Sequence, residues 1–141
     1  MIGRHLLIDF HEVSAERLDD AELLSHLLVE AARRGGLTPL GPPVLHRFRG
    51  GGLTGYLLLS ESHIAVHTYP ELGFAAIDVF ACGSGDPRAA LDVFRTGLAP
   101  PRERVTTATR GEGLGGRAFS PSVPLELEPS AGHCGKAGGE P

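Results

Sequence analysis

The feature that most limits the fold of this chain is the uneven placement of its glycine and proline residues. The last 31 residues, 111–141, contain eight glycines and four prolines but few large apolar side chains. Such a segment cannot bury enough apolar surface to offset the entropy that ordering would cost. We therefore predict that the folded domain spans residues 1–110 and that residues 111–141 form a disordered tail.

Charge and hydropathy exclude several classes of protein. The formal net charge of −4 leaves no strongly basic surface for nucleic-acid binding. No apolar run approaches the roughly 18 residues of a membrane-spanning helix, and the first ten residues lack the layout of a signal peptide. Two cysteines, Cys82 and Cys134, are too few for a disulfide framework. We expect a cytoplasmic domain that binds neither nucleic acid nor membrane.

Apolar spacing and turn residues predict strands separated by two helices. Ser14 is suited to cap the first helix, with Asp19 and Asp20 near its positive end, and Gly35–Gly36 ends it. The second helix begins at Asp86–Pro87. The order β-α-β-β-β-β-α-β predicts an α+β fold, a two-layer α/β sandwich with a largely antiparallel sheet. The predicted strands are 6–10, 44–48 (at an edge), 53–59, 64–68, 74–81 and 105–109.

The densest run of chemically capable residues lies at 60–71. His63 and His67 have the spacing of helical zinc pairs, but in a strand four residues span about 13 Å, too far to share one ion. Ser62, His67 and Asp78 are the residue types of a hydrolytic triad, but no Gly-x-Ser-x-Gly elbow surrounds the serine. Neither interpretation is favoured, and we expect no metal site.

Taken singly, these residues have ordinary structural interpretations. A lone cysteine in an apolar strand, such as Cys82, is usually a small buried hydrophobe. Asp78 interrupts the apolar run 75–81 and is expected to be a buried, hydrogen-bonded carboxylate. The same structural interpretation applies singly to His67, Phe48, Tyr69 and Glu71, and we adopt it for His5, His46 and His63.

Four segments, taken together and in order, carry the strongest functional signal. They are Gly3-Arg4-His5-Leu6-Leu7, His46-Arg47-Phe48, the run Ser60-Glu61-Ser62-His63-Ile64-Ala65-Val66-His67-Thr68-Tyr69-Pro70-Glu71, and the run from Gly73 to Gly83 with Asp78 and Cys82. In this order they closely resemble the short prokaryotic S-adenosylmethionine decarboxylase proenzymes. The resemblance covers about residues 3–110 and excludes the tail.

The resemblance implies that the chain cleaves itself. A serine at the position of Ser62 attacks the carbonyl of Glu61, and elimination from the resulting ester leaves a pyruvoyl group where Ser62 stood. The products would be a 61-residue β fragment and an 80-residue α fragment. The pyruvoyl carbonyl would then form the Schiff base that decarboxylation needs. No pyridoxal phosphate is expected, because the only lysine of the chain is Lys136, in the tail.

The resemblance also implies roles for three further residues in the chemistry. His67 would assist the processing elimination, and an imidazole suits this role because it titrates near neutral pH. Cys82 would donate a proton to the decarboxylated carbon. Thr54 stands where members of the family often carry a serine, and its hydroxyl would support processing.

The substrate implied is S-adenosylmethionine, and its product would be the aminopropyl donor for spermidine biosynthesis. Phe48 and Tyr69 would stack on the adenine, and Glu71 would bind the ribose hydroxyls. The assembly implied is a homodimer of cleaved protomers. Two alternatives remain open: the same chemistry on arginine or ornithine, or a non-processing homologue with a binding or regulatory role.

Overall fold

The structure, a computed structural model, describes residues 2–113. Its centre is a six-stranded sheet with the order β2-β3-β4-β5-β1-β6, in which every neighbouring pair is antiparallel. The predicted two-layer α/β sandwich is confirmed. The elements are β1 (Gly3–His11), α1 (Ala15–Leu18), α2 (Ala21–Arg34), β2 (Val44–Arg47), β3 (Leu53–Leu58), β4 (His63–Tyr69), a 3-10 turn (Pro70–Leu72), β5 (Phe74–Cys82), α3 (Pro87–Leu98) and β6 (Arg102–Arg110).

The predicted first helix is two helices. Ser14 caps α1, as expected, but Asp20 adopts an extended backbone and caps α2 by accepting a hydrogen bond from the Leu23 N–H at 2.9 Å. The expectation that Asp19 and Asp20 lie inside one helix is therefore wrong. The physical reason is that two good capping residues stand six positions apart, so that each starts its own helix. Asp19, at the break, is left with a side chain free to bind elsewhere.

One face of the sheet carries the core. Helices α2 and α3 bury their apolar stripes against it, and alternate strand residues complete the layer. Fully buried leucine and phenylalanine side chains contribute about 1.5–3 kcal/mol each. The largest of them include Phe10, Phe94, Leu24, Leu28 and Leu91.

The opposite face of the sheet, which we call the open face, is partly exposed. On β5 the buried residues alternate with partly exposed ones, so that Ala76, Asp78 and Phe80 point away from the helices. The prediction of a buried Asp78 carboxylate is wrong, because this alternation leaves 34% of its side chain exposed. Its partner across the strands is His5, whose Nε2 lies 3.4 Å from Asp78 Oδ1. The open face is therefore the surface on which polar strand residues collect.

Two further expectations concern the limits of the domain. The last strand ends at Arg110, and most of the segment expected to form the tail, residues 114–141, lies outside the described residues. Within residues 2–113, no helix is long and apolar enough to cross a lipid bilayer.

Candidate active site

The Glu61–Ser62 bond lies in the tight turn that joins β3 to β4. The Leu59 N–H donates to the Ser62 carbonyl at 3.0 Å, which closes the turn and leaves Ser60 and Glu61 at its tip. The Ser62 hydroxyl donates to the Phe80 carbonyl of the adjacent strand β5. The hydroxyl is therefore tied to the sheet, while the carbonyl it would attack stands in a turn.

The Glu61 side chain is held by the loop that follows α2. Its carboxylate accepts hydrogen bonds of 3.0 Å from both the N–H and the hydroxyl of Thr38. Partial burial acts to raise the pKa of Glu61, but these hydrogen bonds stabilise the charged form more, and the net pKa is lowered. Glu61 is therefore ionised at neutral pH.

Cys82 ends β5 near this turn and is 8% exposed. Opposite it on β1 stands Gly3, where an added Cβ would lie 2.7 Å from the Ala81 carbonyl oxygen and 3.1 Å from the Cys82 sulfur. Burial raises the pKa of the Cys82 thiol, and the negative charge of Glu61 raises it further against the opposing effect of Arg110. The thiol is therefore protonated at neutral pH, as a proton donor must be.

A second group of candidate residues lies further along β3 and β4. Thr54 and His67 are directly paired across these strands, and the Thr54 hydroxyl lies 3.0 Å from His67 Nδ1. They line a cavity of about 320 Å³ together with Phe48, Tyr69 and Glu71. All five were singled out from the sequence, so the structure brings together every predicted substrate-binding residue and both predicted helpers of processing.

The two aromatic rings that line this cavity are also partly exposed to solvent. Phe48 is 49% exposed and Tyr69 is 42% exposed, so both offer ring surface to a ligand. A larger cavity of about 510 Å³, lined by Glu12, Glu16 and Arg17 among others, contains none of the predicted site residues.

Sequence reasoning missed the residues that hold the glycine loop 48–52 beside the cavity. The Asp19 carboxylate accepts from the Gly52 N–H at 3.0 Å and from the Arg47 guanidinium, which also donates to the Asp19 carbonyl. Thr68, buried beneath, accepts from the Leu53 N–H at 2.8 Å and donates to the Leu18 carbonyl at 2.7 Å. The signal in the sequence was the presence of two adjacent acids, Asp19 and Asp20, since a helix cap needs only one and Asp19 is left over.

The structure does not bring Ser62 and His67 together within one chain. Ser62 immediately precedes β4 and His67 lies five residues further along it, which is about 16 Å in an extended strand. Ser62 neighbours the Cys82 end of β5, whereas His67 pairs with Ala76. The predicted residues therefore form two groups, a cleavage group (Glu61, Ser62 and Cys82) and a cavity group (Phe48, Thr54, His67, Tyr69 and Glu71).

Three histidines, His5, His46 and His63, are predicted from the sequence to be structural. His5 and His63 pack near the cleavage group, and His46 packs beside Phe48. The Arg110 guanidinium donates to His5 Nδ1 at 3.2 Å, and the His5 ring packs against the Phe80 ring. Burial lowers the pKa of His63, and nearby His5 lowers it further against the pull of Asp78. His46 meets the Phe48 ring edge to face, with centroids 4.9 Å apart. Residues 2–113 contain no cluster of three or more side chains suited to hold a metal ion.

Comparison with known proteins places this geometry in a family. The family model for S-adenosylmethionine decarboxylase matches residues 4–111. The chain is 45% identical over 83 residues to an S-adenosylmethionine decarboxylase proenzyme of Synechococcus sp. (strain WH7803), which covers 59% of this chain and 64% of the relative. It is 39% identical over 111 residues to the proenzyme of Thermotoga maritima, covering 78% of this chain and 85% of that one.

The fold agrees with a solved structure as well. The crystal structure of the adenosylmethionine decarboxylase from Aquifex aeolicus superposes with a TM-score of 0.71 at 37% identity, covering 78% of this chain and 91% of that one. The chain spans just under two thirds of the Synechococcus relative. Since the family match runs through both the cleavage group and the cavity group, the chain belongs to the S-adenosylmethionine decarboxylase family.

Proposed function

We propose that this chain is a self-processing decarboxylase of S-adenosylmethionine that makes its own pyruvoyl group from Ser62. The observation that carries the proposal is the turn at Glu61–Ser62, where the serine hydroxyl is fixed beside the bond to be cut. The described residues include no lysine to hold pyridoxal phosphate. A pyruvoyl carbonyl supplies the electron sink that decarboxylation of an α-amino acid requires.

Processing follows from the chemistry of serine. The Ser62 oxygen bonds to the Glu61 carbonyl carbon, the C–N bond breaks, and the nitrogen takes the hydroxyl proton, giving an ester. Removal of the Ser62 Cα proton then breaks the Cβ–O bond, which releases Glu61 as a carboxylate and leaves dehydroalanine. Water then displaces the amino nitrogen of the dehydroalanine as ammonia, and the carbon that carried it becomes the ketone of the pyruvoyl group. His67, whose Nδ1 is engaged by Thr54, is the base proposed for the elimination.

A second copy of the chain supplies the missing half of each site. Ser62 and His67 lie about 16 Å apart in one protomer, with Ala65 between them. If two open faces pack against each other about a two-fold axis perpendicular to the strands, the Ser62 end of one β4 meets the His67 end of the other. A homodimer of cleaved protomers with two composite sites follows.

The open face has the side chains that such packing needs. Four large apolar side chains on this face are 38–63% exposed: Val44, Tyr56, Leu58 and Leu7. The strand register places all but Leu58 in one row across the sheet, together with Ala65 and Asp78. Exposed apolar patches of this kind mark association surfaces. This row passes midway between the two groups, where the proposed axis must lie.

In the completed site the cavity group binds the nucleoside. Phe48 and Tyr69 stack on the adenine, and Glu71 accepts from the ribose hydroxyls. The Cys82 thiol, held protonated by burial, donates its proton to the carbon that has lost carbon dioxide. The product is the aminopropyl donor for spermidine biosynthesis.

The catalytic domain in this proposal is residues 1–110. Two observations support the boundary: β6 ends at Arg110, and the family match ends at residue 111. A chain truncated at Glu112 should fold and cleave like the full chain. Loss of cleavage or solubility on truncation would show that the remaining residues belong to the domain.

The experiment is a comparison of three substrates. Carbon dioxide release should occur from S-adenosylmethionine and not from arginine or ornithine, which have no ring to stack. Ser62→Ala should neither cleave nor release carbon dioxide, because no hydroxyl remains to attack. Carbon dioxide release from arginine or ornithine alone would overturn the substrate assignment but not the processing chemistry. Failure of the unsubstituted chain to cleave would overturn both the substrate assignment and the processing chemistry.

A further inference from the structure

The segment 38–40 lies beside the turn that contains the cleavage point. Pro39 and Leu59 form an antiparallel bridge, in which the Ser60 N–H donates to the Thr38 carbonyl at 2.9 Å and the Leu40 N–H donates to the Leu58 carbonyl at 3.0 Å. In this pattern the nitrogens of the bridged pair point away from each other, so a proline fits without losing a hydrogen bond. The segment is thus joined to the end of β3 by a single isolated bridge beside the turn.

Thr38 adds two contacts that the bridge itself does not require. Its N–H and its hydroxyl both donate to the Glu61 carboxylate, each at 3.0 Å. Hydrogen bonds to an ionised acceptor are stronger than those between neutral groups. Together with the Ser60–Thr38 backbone bond, they connect the loop after α2 to the residue that precedes the scissile bond.

We propose that Thr38 is a positioning residue for self-cleavage, which fixes Glu61 on one side of the scissile bond while the Phe80 carbonyl fixes Ser62 on the other. The inference rests on the proposed function, since it concerns the same bond. The hydroxyl oxygen and the carbonyl carbon must meet in one geometry, and a turn held at one side alone would sample many. Thr38 acts through Glu61 and touches neither reacting atom.

The test measures the first-order rate of chain cleavage in freshly refolded precursor. Thr38→Val, which keeps shape and N–H but removes the hydroxyl, should slow cleavage about 3- to 10-fold, since one of two charge-assisted bonds at a partly exposed site is lost. Thr38→Ser should restore the rate to within about twofold of the unsubstituted chain. The matched control is Thr96→Val, which removes an exposed hydroxyl bonded to the Asp92 carbonyl on α3 and should change nothing.

A second pair of variants separates positioning from general loosening of the fold. In the Glu61→Gln background, where the acceptor carries no charge, the further effect of Thr38→Val should shrink to within about twofold, because interacting residues are not additive. Thr38→Val cleaving like the unsubstituted chain would overturn this inference alone, as would an equal slowing in both backgrounds or no rescue by serine. An unsubstituted chain that never cleaves would instead overturn the proposed function.

Discussion

The pKa of the Cys82 thiol is shifted by groups that are distant in sequence. Gly3 of β1 lacks the Cβ that would crowd the sulfur, Glu61 of the turn supplies a negative charge, and Arg110 of β6 supplies a positive one. Burial and Glu61 together outweigh Arg110, and the pKa of the thiol rises. The sequence points to Cys82 as a proton donor, but the balance between Glu61 and Arg110 arises only in the fold, where the β3–β4 turn and β6 both come close to the end of β5.

The first prediction concerns the thiol itself. Cys82→Ala should still cleave, since the proposed processing steps use Ser62 and His67, but it should decarboxylate about 10²–10⁴-fold more slowly, the usual worth of a positioned proton donor. Cleavage is followed by denaturing electrophoresis and turnover by carbon dioxide release. Unchanged turnover in Cys82→Ala would exclude this role. Cys82→Ser, whose hydroxyl is a much weaker acid of similar size, should decarboxylate nearly as slowly as Cys82→Ala.

The second prediction concerns pH. A donor must be protonated, so turnover should hold through neutral pH and fall as pH rises through the raised pKa of Cys82. Arg110 lowers this pKa, and therefore Arg110→Gln should move the falling limb to higher pH. Arg104→Gln, on the same strand, serves as control and should leave the limb in place. A limb that moves to lower pH in Arg110→Gln would contradict the assignment.

At the element level, the strand at 74–81 could be predicted because the run is apolar apart from Asp78. Which of its side chains face the helices could not be predicted, because Ala76 and Phe80, which point away, are as apolar as the buried Ile77 and Val79. The break between α1 and α2 could not be read from spacing, because the apolar stripe from Leu18 to Ala31 continues through it. The break matters for the site, since it frees Asp19 to hold the loop 48–52.

The third prediction follows from that loop. If Phe48 and Tyr69 stack on adenine, alanine at either should raise the KM for S-adenosylmethionine about 5- to 150-fold, from 1–3 kcal/mol per stacked base. Asp19→Asn, which weakens the hold on the Phe48 loop, should raise KM by about 2- to 5-fold, as expected for an exposed ion pair. Tyr69→Trp should be tolerated.

The control for Asp19 is Asp92→Asn, which breaks a comparable exposed pair with Arg95 on α3. Its KM should equal that of the unsubstituted enzyme. If Asp19→Asn and Asp92→Asn behave alike, the loop is held by other contacts, and if neither alanine variant changes KM, the aromatic rings do not bind the substrate.

At the scale of the whole molecule, the predicted residues fall into two groups at opposite ends of one strand. Residues 2–113 explain how each group is built but leave Ser62 about 16 Å from His67, the base proposed for processing. The residues look like one site in the sequence because the motif runs unbroken from Ser60 to Glu71. The predicted strand 64–68 already implies that Ser62 and His67 are far apart, but the sequence does not show what could bring them together. Which face of the sheet stays open is likewise set by where both helices pack.

The fourth prediction uses mixed dimers. Ser62→Ala and His67→Ala should each fail to cleave alone. When they are co-refolded, the heterodimer contains one complete site, in which Ser62 of the His67→Ala chain faces His67 of the other. The His67→Ala chain should therefore be cut and the Ser62→Ala chain should stay whole, which a mass tag on one chain would show. No cleavage in the mixture would place the whole site within one chain.

The proposed function requires that the chain cuts itself at Glu61–Ser62 and leaves a ketone at the new amino end. The direct measurement is the intact mass of the purified protein, with and without hydroxylamine, which tags ketones. We expect a 61-residue fragment ending at Glu61 and an 80-residue fragment that alone takes the tag. One unbroken chain of 141 residues, or a larger fragment that begins with an unmodified serine, would contradict it.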